Sequence, residues 1–484
     1  MEQFTSSIDT EAMDRPLTEI EPTDVDIHRF GPGATAELME SAGRRAAAYL
    51  RGISERRVFP TRETIAALEL LGGPLPEHSE DPGQVLQQLD TIGSPATVAT
   101  TAGRYFGFVV GGAVPAAAAA SVLGAAWDQN AAMKAMSPVA VRLEDIALGW
   151  VRELLGLPHA VTGALVTCTT VANATALTAA RHELLARHGW DVESQGLFGA
   201  PEIPVIVGEE AHVSVLKALA VIGFGRDRVI RVPTDGQGRM RVDAFPCLRE
   251  PAIACMQAGN VNTGSFDPAE PICRAVHDAG GWVHVDGAFG LWTASAPGRA
   301  HLARGVELAD SWATDGHKWL NVPYDCGFVF VREPEALLCA MRMQADYLPS
   351  DGDWEPIHWT PDASRRARGL EVWAALKSLG RAGIGSLVER TCQHAARFAE
   401  RLGAAGFEIL NDVVINQVLV SFGSDERTKA VIDAVQRDGT CWCGGTVWHG
   451  RHAMRISVSS WATTALDVEA SANAVIRIAN SVER

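Results

Sequence analysis

The residues of this chain best suited to chemistry are a lysine and an aspartate that each follow a short apolar stretch. Asp286 ends the stretch 282–286, and Lys318 follows the stretch 311–314 about thirty positions later. A lysine amine can hold an aldehyde as a Schiff base. A carboxylate opposite a pyridine nitrogen keeps that nitrogen protonated, so that the ring can accept electrons. The pair suits pyridoxal 5'-phosphate (PLP), although a His-Lys pair or a strand-end aspartate taken alone is more often a surface or capping residue.

A run of small polar residues could hold the phosphate of such a cofactor. Cys168, Thr169 and Thr170 follow an apolar stretch and precede a helical pattern. Free amides at a helix N-terminus, with hydroxyl groups beside them, bind phosphate well. Threonine also favours this position simply as a helix cap, so the run by itself does not decide between the two interpretations.

Two further segments could contact the cofactor ring. His212 follows another strand-like stretch, and its imidazole could lie flat against a pyridine ring or simply cap the next helix. Asn262 and Thr263 lie in a Gly- and Asn-rich loop after the stretch 253–256, where they could reach the ring or the substrate. The same composition is also that of an ordinary tight turn.

Alternating strands and helices are expected to position these residues. Helical patterns, such as 171–187 and 213–222, separate most of the short apolar stretches, which predicts a mostly parallel sheet covered by helices on both faces. Such sheets bind ligands at the carboxyl ends of their strands, where Asp286, Lys318 and Thr167 fall. The seven predicted strands are 164–167, 205–207, 229–232, 253–256, 282–286, 311–314 and 327–331.

The pattern along the chain predicts three regions. Residues 1–95 form an N-terminal region, in which a polar and acidic arm (1–28) precedes helical patterns. Residues 96–370 form the large domain that contains the sheet. Residues 371–484 form a small α+β domain, introduced by helical stretches at 370–378 and 384–402. Its predicted strands are 407–410, 417–421 and 453–458.

Composition excludes several classes of protein. The net charge of −16 without a basic run argues against nucleic acid and anionic membranes as partners. No apolar run reaches the roughly 18 residues that a membrane-spanning helix needs. The N-terminus has no signal-peptide pattern, and nine scattered cysteines indicate free thiols, which together predict a cytoplasmic protein. Cys441 and Cys443 are too closely spaced for a zinc pair, and no metal is predicted.

The motifs occur in an order that is specific to one family. From about Phe106 to the C-terminus, the chain resembles the group II PLP-dependent decarboxylases, which include the aromatic amino acid, glutamate, cysteine sulfinate and diaminobutyrate decarboxylases. The motifs that carry the resemblance are Ser137-Pro138, Glu144, Trp150, Leu157-Pro158, Ala172-Asn173, Ala211-His212, Ala258-Gly259, Thr263-Gly264, His284–Asp286 and His317–Trp319.

The resemblance implies a fold-type-I PLP enzyme that works as a homodimer, and it implies a role for individual residues. Lys318 matches the Schiff-base lysine and Asp286 the partner of the pyridine nitrogen. Ala288 and His212 match residues on the two faces of the ring. Tyr347 matches the mobile-loop tyrosine that assists protonation after carbon dioxide leaves. The remaining expected cofactor contacts are Cys168, Thr169, Thr170, Asn262, Thr263, Asp315 and His317.

The function that follows is decarboxylation of an L-amino acid to an amine and carbon dioxide. Alternatives with the same cofactor are a retro-aldol or β-elimination lyase, and decarboxylation coupled to oxidative deamination. Aldehyde-forming relatives tend to carry Phe at the place of Tyr347, which favours plain decarboxylation here. A PLP-binding regulator would need a DNA-binding motif, which the acidic N-terminal region does not offer. A non-catalytic paralogue would not need Lys318, Asp286 and His212, and their presence argues against it.

One departure from the family concerns the phosphate loop. Relatives usually carry two glycines and then an acidic residue, where this chain has Cys168, Thr169 and Val171. Because glycine tolerates backbone conformations that other residues avoid, we expect phosphate binding to depend more on the threonine hydroxyls here.

Overall fold

A computed structural model describes residues 31–343 and 354–482 of the chain. The predicted N-terminal arm over residues 1–28 and the predicted loop residue Tyr347 lie outside the described residues. Of the described residues, 31–53 and 60–97 form one compact unit, and 54–59, 98–343 and 354–482 form another. The predicted domain boundaries after residues 95 and 370 stay predictions.

The first unit is helical in its described part. Side chains of Thr61 and Asp81 accept hydrogen bonds from backbone amides three residues later and so start two of its helices. None of the described helices of this unit has a buried side chain. They are α1 (Pro32–Arg51), α2 (Arg62–Ala66), α3 (Pro82–Gln88) and α4 (Ser94–Ala96).

The second unit contains the predicted seven-stranded sheet, with strand order β1-β7-β6-β5-β4-β2-β3. In this sheet, the five adjacent strands β6, β5, β4, β2 and β3 are parallel to one another. Strand β7 runs antiparallel to both of its neighbours, β6 and β1. The sheet is therefore mostly parallel, as predicted. Its strands are β1 (Thr162–Val166), β2 (Val205–Gly208), β3 (Ile230–Val232), β4 (Ile253–Gln257), β5 (Trp282–Asp286), β6 (Ser311–Asp315) and β7 (Gly327–Val331).

Helices cover both faces of this sheet because successive side chains of a strand point to opposite faces. Val283 and Val285 belong to one hydrophobic cluster, and Trp282 belongs to the other, together with apolar residues of α7. Trp282, His284 and Asp286 therefore point toward the α7 side. The helices before the second sheet are α5 (Pro115–Trp127), α6 (Pro138–Leu154), α7 (Thr169–Arg187), α8 (Val192–Gln195), α9 (Val213–Val221), α10 (Ala269–Asp278) and α11 (Pro334–Met341).

A smaller antiparallel sheet, with strand order β10-β11-β9-β8, follows the long helix α12 (Gly369–Ala404). The two predicted helical stretches are joined in α12, and Gly380 (φ 61°) interrupts the helical backbone between them. The other elements of this region are β8 (Glu408–Ile409), β9 (Gln417–Ser421), α13 (Asp425–Asp438), β10 (Gly444–Trp448), β11 (Arg451–Ser457) and α14 (Ala465–Ser481).

Strand β10 was missed by the sequence prediction. It begins with Gly444 and Gly445, and glycine is disfavoured in strands. The strand forms because His449 and Gly450 both have positive φ, which gives the tight two-residue turn of a β-hairpin with β11.

Some features of the wider chain can be stated for the described residues. No helix in ranges 31–343 and 354–482 combines the length and apolar character needed to cross a bilayer. The same ranges contain no cluster of three or more His, Cys, Asp or Glu side chains that could hold a metal ion. All nine cysteines lie within the described residues and are free thiols there.

Candidate active site

Lys318 lies in the turn after β6 and is held by an acidic neighbour. Its Nζ is 2.9 Å from Oδ2 of Asp315, the last residue of β6, and the lysine side chain is 20% exposed. The backbone there is closely packed, since a Cβ added at Gly111 would lie 1.9 Å from the carbonyl oxygen of Lys318. The amine is thus reachable from solvent while its main chain is fixed.

Asp315 also connects Lys318 to the start of α7. Its Oδ1 accepts a hydrogen bond of 2.6 Å from the backbone amide of Thr169, and its carboxylate is almost completely buried. Both oxygens therefore have donors from the chain itself. The predicted contact of Asp315 with a phosphate stays a prediction, and two anions side by side would repel each other.

Asp286 ends β5 at the same edge of the sheet and is 4% exposed. Oδ1 accepts a bond of 3.2 Å from the backbone amide of Ala288. Oδ2 lies 3.3 Å from Nδ2 of Asn173 and 3.4 Å from the hydroxyl of Ser214. A backbone amide and two polar side chains thus surround a buried carboxylate, in keeping with the need of a buried charge for polar partners.

His212 is the residue that precedes α9, and it caps that helix. Its Nδ1 accepts a bond of 3.3 Å from the amide of Ser214 and lies 2.7 Å from the Ser214 hydroxyl. Burial is the largest cause that lowers the pKa of His212, and the charge of Asp286 opposes it. The charge of Lys318 lowers this pKa further, so that the imidazole is neutral near pH 7. The Ser214 hydroxyl lies between the His212 ring and the Asp286 carboxylate, at 2.7 Å from Nδ1 and 3.4 Å from Oδ2.

The start of α7 offers a binding site for an anion. Thr169 is buried, and its Oγ1 has no hydrogen-bond partner within the described part of the chain. The first amides of a helix also lack acceptors within the helix. A buried hydroxyl without a partner beside a helix N-terminus fits a phosphate group.

The missing glycines of the phosphate loop are explained by the backbone. Cys168 is extended (φ −163°), and neither it nor Thr169 or Thr170 has a positive φ. A glycine of β7 instead allows the two backbones to approach each other closely. A Cβ added at Gly327 would lie 2.6 Å from the carbonyl carbon of Cys168.

The other predicted contacts have varied environments. Asn262 accepts a bond of 3.0 Å from the hydroxyl of Thr446, and buried Thr263 donates its hydroxyl to the carbonyl of Gln237 at 2.7 Å. The ring of His317 packs on Tyr324 with ring centroids 4.4 Å apart. Burial is the main cause that lowers the pKa of His317. Cofactor contacts by Asn262, Thr263, His317 and Ala288 stay predictions.

Several residues of the site were not singled out from the sequence. Asn173 was noted only as part of a motif, although the four-residue spacing from Thr169 does place it on the same face of α7. Ser214 follows His212 by two residues, a spacing at which it can bond the imidazole. Arg455 in β11 influences the pKa of His212, and no local pattern distinguishes it from other arginines.

Known proteins are similar to most of the chain. The model described as "Pyridoxal-dependent decarboxylase conserved domain" matches residues 67–423. The chain is 27% identical to aromatic-L-amino-acid decarboxylase of Bos taurus, over 80% of this chain and 84% of that protein. It is 30% identical to L-2,4-diaminobutyrate decarboxylase of Rhizobium meliloti, over 73% of this chain and 69% of that protein.

Solved structures share the fold. Oryza sativa TDC with PLP and tryptamine superposes with a TM-score of 0.85 at 21% identity, covering 96% of this chain and all of that chain. Mouse CSAD in its apo form gives a TM-score of 0.84 at 22% identity, covering 93% of this chain and 99% of that chain. The family match spans well over half of the sequence, and the chain belongs to the pyridoxal-dependent decarboxylase family.

Proposed function

We propose that this protein converts an L-amino acid to the corresponding amine and carbon dioxide, with PLP bound covalently at Lys318. The observation that carries the proposal is the meeting of Lys318, Asp286 and His212. His212 follows β2, Asp286 ends β5 and Lys318 follows β6, so all three lie at the carboxyl edge of the parallel strands. The Ser214 hydroxyl contacts both His212 and Asp286. Such a group of an amine, a carboxylate and a neutral imidazole has the chemistry that PLP requires.

The residues fit PLP at both of its ends. At one end, the hydroxyl of Thr169 and the first amides of α7 would hold the phosphate. At the other end, the carboxylate of Asp286 would face the ring nitrogen. The distance between these ends is spanned by α7 itself, because Asn173 on this helix contacts Asp286.

Each side chain has a task in the reaction. When bound, PLP supplies an electron sink for the electrons released when the bond between Cα and the carboxyl carbon breaks. Asp286 would keep a proton on the ring nitrogen by its negative charge. Asp315 holds the amine of Lys318 beside the site. His212 is neutral and half-buried, so it would cover a ring face without adding positive charge.

Arg455 is suited to bind the carboxylate of the substrate. Its guanidinium makes one long hydrogen bond, of 3.4 Å, to the carbonyl of Val261. Burial lowers the pKa of Arg455, and no described carboxylate lies within ion-pair distance. The Arg455 guanidinium is partly buried and has no carboxylate partner of its own among the described residues. It therefore suits a substrate that carries a carboxylate. Tyr347, in the role implied by the family, would then provide the proton that replaces carbon dioxide at Cα.

Pairing of two copies is supported by an apolar surface on α5, the segment after it and the start of α6. Large apolar side chains are about half exposed there, which is unusual for a monomer surface. They are Val122, Leu123, Trp127, Met136 and Val139. Leu123→Glu should produce a monomer of 51.7 kDa, whereas the unchanged protein should have twice that mass in light scattering. A monomeric wild type would refute the pairing.

The experiment that tests the reaction combines labelling with product analysis. Borohydride reduction of the PLP-bound protein, followed by peptide mapping, should place the pyridoxyl group on Lys318. A panel of L-amino acids is then scored for carbon dioxide, amine, aldehyde and ammonia. Amine and carbon dioxide in equal amounts support the proposal. A label on another lysine would overturn the cofactor site, and aldehyde with ammonia would replace amine formation by oxidative deamination.

A further inference from the structure

A chain of hydrogen bonds runs beneath the site and ends at Asp286. Nε1 of Trp282 lies 2.8 Å from Oγ of Ser311, which lies 2.9 Å from Nδ1 of His284. Nε2 of His284 lies 2.9 Å from Oδ1 of Asn173, whose Nδ2 lies 3.3 Å from Oδ2 of Asp286. All five residues are buried.

The fold itself creates this series of hydrogen bonds. Trp282, His284 and Asp286 alternate along β5 and so point to the same face of the sheet. Ser311 is the register partner of His284 on the adjacent strand β6. Asn173 reaches the same face from α7, which lies against these strands.

The residues at the two ends of this hydrogen-bond series, Trp282 and Asp286, require the same donor-to-acceptor direction for every bond. The indole of Trp282 can only donate, so Ser311 accepts from it and turns its own proton toward His284. At the other end, the carboxylate of Asp286 can only accept, so Asn173 presents Nδ2 to it and Oδ1 to His284. His284 must therefore be bare at Nδ1 and protonated at Nε2.

A neutral imidazole meets this requirement. Burial lowers the pKa of His284 to about 3, so the ring carries a single proton near neutral pH. A neutral histidine has one donor nitrogen and one acceptor nitrogen, which the two neighbours of His284 assign. Bonds aligned in this way polarise one another, so that the last donor in the chain becomes stronger.

The other side-chain donor near Oδ2 of Asp286 has a competing partner. The hydroxyl of Ser214 lies 3.4 Å from Asp286 but only 2.7 Å from Nδ1 of His212. Nδ1 of His212 already accepts the amide of Ser214, so it is an acceptor for the hydroxyl as well. The single hydroxyl proton goes to the nearer acceptor, which leaves Asn173 as the side chain whose donor is directed to Asp286.

We propose that Asn173 and His284 are positioning residues that fix the orientation of the Asp286 carboxylate toward the cofactor ring. Rotation of the Asn173 amide by half a turn would place Oδ1 against the carboxylate, and two acceptors repel. His284 prevents this rotation because its Nε2–H is satisfied only by Oδ1. The inference rests on the proposed function in placing Asp286 beside the ring nitrogen of PLP.

Neutron diffraction from crystals of the deuterated, full-length, PLP-bound protein tests the direction of the chain. We expect a deuteron on Nε2 of His284 and none on Nδ1, with both deuterons of the Asn173 amide on the side of Asp286. A deuteron on Nδ1, or a reversed amide, overturns the proposal. This readout does not depend on activity.

Two variants of His284 test whether the chain acts on Asp286. The amide of His284→Gln can still accept from Ser311 and donate to Asn173, whereas His284→Leu can do neither. Loss of a hydrogen bond that supports a charged group lowers kcat by about tenfold or more in the leucine variant, with KM changed less. The glutamine variant should stay within about threefold of wild type in kcat, following the smaller cost of a retained bond. A leucine variant equal to wild type, or no better result with glutamine, refutes the proposal.

Asn173→Asp keeps the shape of the side chain but replaces its donor by an acceptor. It places two carboxylates together, so the visible absorption of the bound cofactor and its change with pH should differ clearly from wild type. If His284→Leu does not fold, this variant decides alone, and an unchanged spectrum overturns the proposal.

Asp286→Asn distinguishes failure of this proposal from failure of the proposed function. Near-normal activity of that variant would refute the role of Asp286, while the neutron map would still decide the direction of the chain.

Discussion

The amine of Lys318 lies 2.9 Å from the carboxylate of Asp315, which also accepts the backbone amide of Thr169. One buried carboxylate thus joins the lysine at the end of β6 to the helix start that is suited to a phosphate. Because the two contacts use different oxygens of Asp315, neither excludes the other. The relationship leads to a prediction about cofactor affinity.

Asp315→Ala should weaken PLP binding by about tenfold to a hundredfold, since it removes hydrogen bonds of a charged group. Asp315→Asn is the matched control, because it keeps an acceptor for the amide of Thr169 but loses the charge near Lys318. We expect an intermediate dissociation constant for it in equilibrium dialysis. Unchanged affinity in the alanine variant would show that Asp315 does not organise the site.

Asp286→Asn should keep the fold but lose most activity. An amide cannot supply the negative charge that keeps the pyridine nitrogen protonated. Loss of one well-placed electrostatic partner costs about 10²–10³ in rate. Measurement of kcat with saturating PLP checks the prediction, and activity within a few-fold of wild type would show that Asp286 faces another group.

His284 should make stability depend on pH. Its pKa is lowered to about 3 by burial in the folded protein, against about 6.5 in the unfolded chain. Between these values the unfolded chain binds the extra proton, so the free energy of unfolding falls as pH falls below about 6.5. The loss is about 1.4 kcal/mol per pH unit.

Urea unfolding of wild type and His284→Gln at pH 7 and pH 5 isolates this effect. Burial raises the pKa of Asp267 to about 6, so other groups titrate in the same range. They are common to both proteins, and the difference between the two pH profiles belongs to His284. The glutamine variant should lose less stability than wild type between pH 7 and pH 5. Parallel profiles would show that His284 is not neutral in the folded protein.

The ion pair of Glu144 and Arg365 should contribute strongly to stability. Both side chains are 0% exposed, and Arg365 also donates to the carbonyls of Ala131 and Leu165. Glu144→Ala leaves a buried charge without its partner, which costs about 3–5 kcal/mol. Glu153→Ala is the control, because its pair with Arg381 is exposed and should change the free energy of unfolding by at most about 1 kcal/mol. Equal effects in chemical unfolding would contradict the prediction.

Tyr347→Phe should change the product rather than the binding of PLP. Without its proton donor, Cα would remain unprotonated after carbon dioxide leaves and would be open to reaction with oxygen. The product should therefore shift from amine toward aldehyde and ammonia when assayed under air. Amine formation at the wild-type rate would show that another group donates the proton.

The sequence by itself determined the large sheet and the positions of its reactive residues. Runs of apolar residues mark β4, β5 and β7 because a buried strand is specified locally, by its own side chains. The run of β5 placed Asp286 at a strand end, the stretch 311–314 placed Lys318 shortly after β6, and the order of the motifs around them specified the family. Strand β10 escaped because its glycines carry no local strand signal, and only the hairpin with β11 holds it in place.

Tertiary structure alone decided which groups contact one another. Thr169 and Asp315 are 146 positions apart, and Asn173 and His284 are 111 positions apart. A hydrogen bond between such residues depends on strand order, register and the placement of α7, which no local pattern encodes. The role of Asp315 beside Lys318 and the direction of the bonds that reach Asp286 therefore emerge only from the folded chain.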